Sequence, residues 1–472
     1  MIKENNIFFI GIKGVAMTNL AIILQKMGKN VSGSDSDEEF ITDKSLLAHK
    51  IKYVNNFRGF SLPDNIDLVV YSAAHQGINN PQILAAKSRR IKIMSQAELI
   101  GSLFNNLENF IAVCGCHGKT TTASLLAYVL INLKKSPNYL IGSSNFSTYD
   151  GGGYGQSDYA VIEADEYGVN PPLDKTPKFM FLKPKYILCT NIDFDHPDVY
   201  DNLEMTKNAF FKFFKKSTLA KIFICADDQN SIEVVSKLDK KNYLTYGFAQ
   251  TADFRIQNLK TTDDGTVFDI VVPEKNTFQF KISLFGKKNV SNAAGAIAVL
   301  SQLGISYAEI VHSIKNFSGA KRRFEKVNYT NNIYLFDDYA HHPHEIEATI
   351  KAVRNRFPKQ RIIVIFQPHT FSRTQSLLNE FSTSLSLADI SLLLPIFPSA
   401  RENPNKFIVK SKNIINSQNK DCVFAFDSKK ELLVKLQSVI KSGDVIFTMG
   451  AGDVYKLKND IIEIIKSKNE TS

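Results

Sequence analysis

The chain has 472 residues, 44% hydrophobic and 22% charged, with a formal net charge of +10. That length exceeds a single hydrophobic core and predicts about two to four globular domains. The positive excess is spread along the sequence, which suits anionic small molecules; zinc-finger spacing and the aromatic-basic signature of an RNA-binding sheet are both missing, so no nucleic-acid partner is expected.

Five cysteines are scattered, with only Cys114 and Cys116 close together, which fits reduced thiols better than a disulfide framework. The opening M-I-K-E-N-N runs into I-F-F-I-G-I, too short for a secretory apolar region, and no run is long enough to cross a bilayer. A cytoplasmic location without membrane insertion is the expectation.

In chain order, residues 7–10 read as a strand, followed by the turn G-I-K-G-V-A-M (11–17), a helix over 20–27 and a strand entering S-G-S-D-S-D at 32–37. This is a βαβ unit with glycines at the end of its first strand and an acid after its second. The dinucleotide fingerprint is incomplete, because its third glycine is missing and Lys13 intrudes, so a plain NAD site is disfavoured. A strand over 67–74 extends the same layer, and a small nucleotide-binding domain closes at about residue 108.

Residues 111–113 give an apolar strand, G-C-H-G-K-T-T-T (115–122) a glycine turn, and A-S-L-L-A-Y-V (123–129) the first turns of a helix. Backbone N–H groups and the positive end of the helix dipole make such a turn a phosphate site, with Lys119 reaching the terminal phosphates and Thr120 a bound Mg²⁺. The usual pattern places a glycine five residues before Gly118; Val113 stands there, so the loop is a shortened variant with Gly115 as its other glycine. The glycine- and serine-rich stretch 142–156 reads as a mobile loop. V-I-E-A-D-E-Y (161–167) and N-I-D-F-D-H-P-D (191–198) each read as a strand ending in acids: Glu163, Asp165 and Glu166 in one, Asp193 and Asp195 with His196 in the other. Ligands gather beyond the carboxyl ends of parallel strands, so both tips are expected at the phosphate loop, where oxygen donors select Mg²⁺ and an imidazole completes a second metal site. Asn289 and Asn292, one helical turn apart, share a face that could read a base edge or hold substrate; a helix cap with a polar face explains them equally well.

From about residue 320, strands over 333–338, 361–366, 390–395 and 444–449, separated by helical patterns such as 344–357, predict a further doubly wound parallel sheet. Arg322 and Arg323 stand at the domain junction, where an arginine suits charge on a transferring phosphoryl group. D-D-Y-A-H-H-P-H-E (337–345) and F-Q-P-H-T-F-S-R-T (366–374) follow two of these strands; adjacent His341 and His342 project differently and no H-x-x-x-H pair occurs, so a structural zinc is not expected.

These motifs, with R-R-F-E and T-M-G-A-G-D-V-Y, occur in one order and spacing from Gly11 to Tyr455, and the chain resembles the Mur ligases of peptidoglycan synthesis, most closely their alanine-adding branch. The resemblance implies an α/β architecture of three domains: a Rossmann-like domain for the UDP-sugar (1–108), a central P-loop-type ATPase (109–319) and a Rossmann-like C-terminal Mur ligase domain (320–472). It implies an ATP-dependent ligase in which the lactyl carboxylate of UDP-N-acetylmuramate attacks the γ-phosphate. L-alanine then displaces phosphate from the acyl phosphate through a tetrahedral intermediate. ATP and Mg²⁺ are the implied cofactors, a monomer or homodimer the implied assembly, and cell wall biogenesis, cell shape and cell division the implied context.

Carried over by position, Gly115, Gly118, Lys119 and Thr121 would hold the phosphates, Thr120 and Glu163 one Mg²⁺, and His196 a second. Asn289 and Asn292 would face the base, Arg323 the γ-phosphate and Asp338 the ribose. Tyr339, His342 and Arg373 would serve the amino acid and tetrahedral intermediate, and Gly11, Gly14, Ser34, Asp35 and Ser72 the UDP-sugar. Lys119, Glu163, His196, Arg323, His342 and Arg373 form the implied catalytic set. Two departures stand out: Cys116 where the family usually has threonine, which suggests oxidation sensitivity, and Lys13 in place of a glycine. Several family members carbamylate a central-domain lysine; Lys207 and Lys212 both follow His196 at plausible distances, and the choice stays open. Hinges near 109 and 320 imply closure of the outer domains. The rivals are the recycling ligase that attaches a ready-made tripeptide, which E-A-D-E-Y followed by D-K-T-P-K-F favours, and a non-catalytic nucleotide-binding protein, which the intact Lys119, Glu163 and His196 set opposes. Folylpolyglutamate synthetase lacks a sugar-nucleotide domain like residues 1–108.

Overall fold

The computed structural model describes residues 2–399 and 402–468. The chain divides into two units, one running through Leu284 and over Asn289–Lys321, the other comprising Phe285–Lys288 and the chain from Arg322 onward. The first unit holds two main sheets. β1 (Asn6–Ile10), β2 (Asn30–Ser34), β3 (Lys52–Val54), β4 (Leu68–Tyr71) and β5 (Lys92–Ser95) are parallel in the order β3-β2-β1-β4-β5. The helix Val15–Lys26, longer than the sequence pattern suggested, packs its Leu20 to Leu24 face fully inside.

The larger sheet contains β6 (Asn109–Cys114), β7 (Asn138–Phe146), β8 (Tyr149–Gly153) and β9 (Tyr159–Glu163), and then, after a two-stranded ribbon of β10 (Gly168–Asn170) and β11 (Asp174–Pro177), β12 (Tyr186–Cys189), β13 (Lys221–Cys225) and β14 (Tyr243–Gly247). An antiparallel meander of β15 (Phe254–Thr262), β16 (Gly265–Val271) and β17 (Thr277–Ile282) extends the edge beyond β14. The order is β17-β16-β15-β14-β13-β12-β6-β9-β7-β8. From β6 the chain moves one way to β7–β9 and then crosses to the other side at β12, so the connections diverge at the carboxyl end of β6 and open a crevice there. The F-I-A-V-C run of β6 is buried throughout, as a central parallel strand covered on both faces requires.

Two sequence expectations change. Residues 142–156 are not a mobile loop: most of them form the β7–β8 hairpin, whose glycines let the helix Val15–Lys26 approach. A Cβ on Gly152 would stand 2.3 Å from the Asn19 carbonyl oxygen, and the Asn19 amide donates to the carbonyls of Ile141 (2.8 Å) and Ser143 (2.9 Å), joining the two sheets of this unit. Residues 191–198 are irregular, because β12 stops at Cys189.

The second unit has one sheet of β18 (Glu325–Thr330), β19 (Ile333–Asp338), β20 (Ile362–Phe366), β21 (Ile390–Leu393), β22 (Val423–Ala425) and β23 (Val445–Met449), ordered β18-β19-β23-β20-β21-β22. All pairings are parallel except β18 with β19, so the expected doubly wound sheet carries one antiparallel edge strand.

In the first unit, the helix Leu203–Lys216 is started by Asn202, whose side chain accepts from the Met205 N–H, and it buries Phe210, Phe213 and Phe214. Phe213 stacks on Phe179 with ring centroids 4.6 Å apart. Phe213→Ala is expected to lower stability by about 3–5 kcal/mol, the scale of a fully buried phenylalanine truncation, read from the midpoint shift in urea unfolding.

Candidate active site

β6 ends at Cys114 and the helix Lys119–Asn132 begins four residues after Gly115. Gly118 occupies the N-cap at φ +86°, and no side chain caps the helix there, the arrangement that suits an anion at a helix N-terminus. Gly115 has φ +120°, and a Cβ on it would lie 2.2 Å from Thr190 Oγ1; a Cβ on Gly118 would lie 2.8 Å from Asn292 Oδ1. The loop therefore has no room for side chains at either glycine, and Asn292 abuts it directly. Thr190 Oγ1 and Asn191 Nδ2 donate to the His117 carbonyl at 2.6 and 2.8 Å, and His117 N–H donates to Asn191 Oδ1 at 3.0 Å.

Because β9 and β12 flank β6, the acidic ends of both meet the loop. Glu163 pairs across from Val113; its Oε1 accepts from the Gly142 N–H at 2.5 Å, and Thr120 Oγ1 lies 3.3 Å from its Oε2. Lys119 Nζ donates to both Glu166 oxygens, at 2.8 and 2.7 Å, and to the Gly115 carbonyl at 2.6 Å. Burial by itself would lower the Lys119 ammonium, but the Glu166 carboxylate beside it and Asp165 beyond raise it well above the ordinary lysine value. His196 Nε2 stands 3.6 Å from Glu166 Oε1, and Asp165, Glu166 and His196 offer ligand atoms within 4.8 Å of one another. Asp165 pairs with Lys178 at 2.8 Å; burial would raise its carboxyl, yet Lys178 and Lys119 hold it below the usual carboxylate range.

The sequence pattern identified Lys119, Thr120, Glu163 and His196 as site residues, and the fold collects these four around one loop. It also gives definite partners to residues that had no individual role among the carried-over set: Glu166 with Lys119, Lys178 just past β11 with Asp165, and His117 with Asp193 at 2.9 Å. Glu166 lay within the quoted acidic motif, but nothing in its spacing told which acid would face the lysine. Cys116 is buried, trades 3.2 Å contacts with both the N–H and the carbonyl of Asp193, and has its thiol pushed up by burial and by Glu166. It is thus a packed, protonated thiol with little of the thiolate character that oxidation needs. Lys207 is ion-paired to Glu204 (3.0 Å) and Glu233 (2.8 Å), which raise its ammonium; a carbamate requires the neutral amine. Lys212 is exposed.

At the first sheet, Gly11 (φ +79°) leaves its missing Cβ 3.4 Å from Ser72 Oγ and 3.3 Å from the His75 ring. His75 Nε2 lies 3.3 Å from Asp35 Oδ1, and Asp35 also accepts from the N–H groups of Lys13 and Ser36, both at 2.7 Å. Ser34 is fully buried and donates to Gln82 Oε1 at 2.5 Å, while Gln82 Nε2 is a buried donor without a protein partner. Gly14 is exposed at the start of the helix Val15–Lys26. Lys13 turns inward and donates to the carbonyls of Ser36 (2.9 Å) and Glu38 (2.8 Å), with its ammonium 5.1 Å from the Tyr53 ring centre.

In the second unit the adjacent arginines separate. Arg322 is buried, paired with Asp337 at 3.2 Å and donating to the Gly450 carbonyl at 2.6 Å. Arg323 stacks on Tyr339, 4.9 Å from the ring centre, and stands 3.9 Å from Glu345. His342 is the N-cap of the helix Pro343–Arg356, its Nδ1 accepting from the His344 N–H at 3.4 Å. Asp338, at the end of β19, accepts from Thr349 Oγ1 (2.9 Å) and the Ala340 N–H (3.1 Å); burial lifts its carboxyl to about 6 although Arg323 opposes the shift. Arg373 is buried on the short helix Phe371–Ser376 and donates to the His369 carbonyl at 3.3 Å. Asn289 and Asn292 belong to the first unit, on the helix Lys287–Gln302, with Asn289 half-buried and Asn292 buried.

A glycine cradle between two acidic strand ends is the apparatus of a phosphate-handling α/β enzyme. Three family profiles match in succession: "Mur ligase family, catalytic domain" over 6–107, "Mur ligase middle domain" over 113–300 and "Mur ligase, glutamate ligase domain" over 322–452. The UDP-N-acetylmuramate--L-alanine ligase of Agathobacter rectalis is 36% identical over 468 residues, covering 98% of both chains. That of Desulfitobacterium hafniense is 35% identical, covering 97% of this chain and 99% of its own. The crystal structure of UDP-N-acetylmuramate-alanine ligase MurC from Thermotoga maritima aligns over 98% of this chain and 99% of its own, with a TM-score of 0.79 and 26% identity. A murein peptide ligase from Psychrobacter arcticus, 23% identical over 98% of both chains, shares the fold with a TM-score of 0.74. The chain belongs to the Mur ligase family.

Gly115→Ala combines an unfavourable φ with a 2.2 Å clash, so it is expected to abolish nucleotide binding in calorimetry while the protein still melts cooperatively. Asp338 yields a pH prediction. Its folded value of about 6 exceeds the ordinary 3.8, so its contribution to stability is full below pH 3.8 and is lost as pH rises through about 6. Asp338→Asn should therefore gain melting temperature relative to wild type across that interval.

Proposed function

We propose that this protein is a UDP-N-acetylmuramate--L-alanine ligase that joins the lactyl carboxylate of its sugar nucleotide to the amine of L-alanine, with ATP cleaved to ADP and phosphate, in peptidoglycan precursor synthesis. The observation that carries the reading is full-length identity of about a third to alanine ligases, combined with Lys119, Thr120 and Glu163 gathered at one glycine loop. We divide the chain into a UDP-sugar domain at 1–108, an ATP-binding domain at 109–319 and a C-terminal domain at 320–472, in line with the three profile matches.

The residues fit a magnesium nucleotide: two glycines leave the loop no Cβ, a half-buried lysine lies against it, and Thr120 and Glu163 present oxygen donors side by side. In this proposal Thr120 and Glu163 hold one Mg²⁺ and His196 a second, and the bound metal screens the repulsion between the triphosphate and the incoming carboxylate. Gly115, Gly118 and Thr121 place backbone N–H groups around the phosphates, and Lys119 contributes a fixed positive charge. Asn289 and Asn292 face the base, Asp338 the ribose and Arg323 the γ-phosphate. Tyr339, His342 and Arg373 serve the amino acid and the tetrahedral intermediate, and Gly11, Gly14, Ser34, Asp35 and Ser72 the sugar nucleotide. Ser34 and Asp35 act mainly by shaping the turn, since their side chains are held by Gln82, Lys13 and His75. Among the described residues no helix is long and apolar enough to cross a membrane.

A second reading, attachment of a ready-made tripeptide to the same nucleotide, draws on β11 and Lys178, which come from the D-K-T-P-K-F segment. Phosphate release with UDP-N-acetylmuramate, ATP and either L-alanine or tripeptide separates the two; the alanine reading expects release with L-alanine and little with tripeptide. Lys119→Ala is expected to cut the alanine-dependent rate by on the order of 10²-fold or more, the loss typical of removing one positioned charge donor, and to lower the melting temperature, because it leaves the buried Glu166 carboxylate without its ammonium partner.

A further inference from the structure

All of the short donor contacts of the Lys119 ammonium are spent inside the protein: two on Glu166 and one on the Gly115 carbonyl, with the Cys116 carbonyl at 3.4 Å. The lysine that should reach a nucleotide's phosphates is thus engaged by a side chain of its own chain. Glu166 is only 1% exposed, so with the lysine in place its carboxylate is screened from bulk water. An unpaired carboxylate at that depth is strongly unfavourable, and the exchange is feasible only if another cation replaces the ammonium. The place for one is already built: Asp165 and His196 put ligand atoms within 4.8 Å of Glu166, with His196 Nε2 3.6 Å from its Oε1. The backbone cannot carry Glu166 away, because its carbonyl accepts from Tyr200 Oη at 2.6 Å and Asp165 is fixed by Lys178.

We propose that Glu166 is a positioning residue that holds Lys119 in the nucleotide-free loop and releases it to the phosphates in exchange for a divalent cation on the His196 side. Nucleotide and metal then bind interdependently through one buried carboxylate, beyond the attraction they have for each other in solution. The inference rests on the proposed ATP site and deepens it by naming what competes for its lysine. Glu166 itself need not touch the nucleotide.

The test is calorimetric binding of a non-hydrolysable ATP analogue to the full chain, with excess chelator and across a Mg²⁺ titration, for wild type, Glu166→Gln and Glu166→Asp. Glu166→Gln removes the competing charge at the same size. It is expected to bind the metal-free analogue at least about tenfold more tightly than wild type, the scale of one charge-assisted hydrogen bond, and to lose most of the gain that Mg²⁺ gives wild type. Glu166→Asp, which keeps the charge, is expected to retain that gain, and it decides the matter by the same criterion if the glutamine variant does not melt cooperatively. Equal metal-free affinity and equal Mg²⁺ dependence in wild type and Glu166→Gln, or loss of the Mg²⁺ gain in Glu166→Asp, would overturn the exchange while leaving the nucleotide site intact. Failure of wild type to bind the analogue under any condition would instead remove the ATP site and this inference together.

Discussion

One buried ion pair, Lys119 with Glu166, is the constraint around which the rest of the first unit is arranged. It joins the start of the helix after β6 to the end of β9, two elements that are neighbours only because β9 pairs with β6. A half-buried lysine beside a fully buried carboxylate is held by full hydrogen bonding, and the Gly115 carbonyl supplies what Glu166 does not. The glycines follow from the same crowding. With Thr190 pressed on Gly115 and Asn292 on Gly118, any side chain at either position would push the loop off the strands that hold its charges in place.

The same economy of charge appears at the first sheet. A lysine at a position suited to glycine would be expected to block the turn, yet Lys13 folds back and caps the carbonyls of Ser36 and Glu38 beneath two aromatic rings. Its backbone N–H meanwhile binds Asp35. The substitution thus alters how the turn is braced without filling the space above Gly11, where Ser72 and His75 converge. In the second unit, two adjacent arginines with identical chemistry take opposite duties: Arg322, at φ +59°, is locked to Asp337 and Gly450, while Arg323 lies against Tyr339.

Family membership brings a tested architecture, and the particular residues bring its local variations. Cys116 makes the point. A thiol in a phosphate loop suggests reactivity, but burial beside Glu166 keeps it protonated and turns it into a packing group against Asp193. Lys207 is likewise held as an ammonium by two glutamates instead of standing free for modification.

By itself the sequence determined the succession of strands and helices, the glycine loop with Lys119 and Thr120, and the identity of the acidic tips, because apolar runs, glycine turns and clustered acids are local patterns with local causes. It misread 142–156 as a loop, since glycine richness looks the same whether it provides mobility or admits a neighbouring helix, and only the approach of Asn19 tells which. The acidic motif by itself listed Glu163, Asp165 and Glu166 together, and only the family resemblance singled out Glu163. Which carboxylate meets Lys119, which meets Lys178 and which stands beside Thr120 depends on strand pairing and on the return of the chain past β11, 13 residues from Asp165 to Lys178, and contacts of that kind exist only once the sheet has formed.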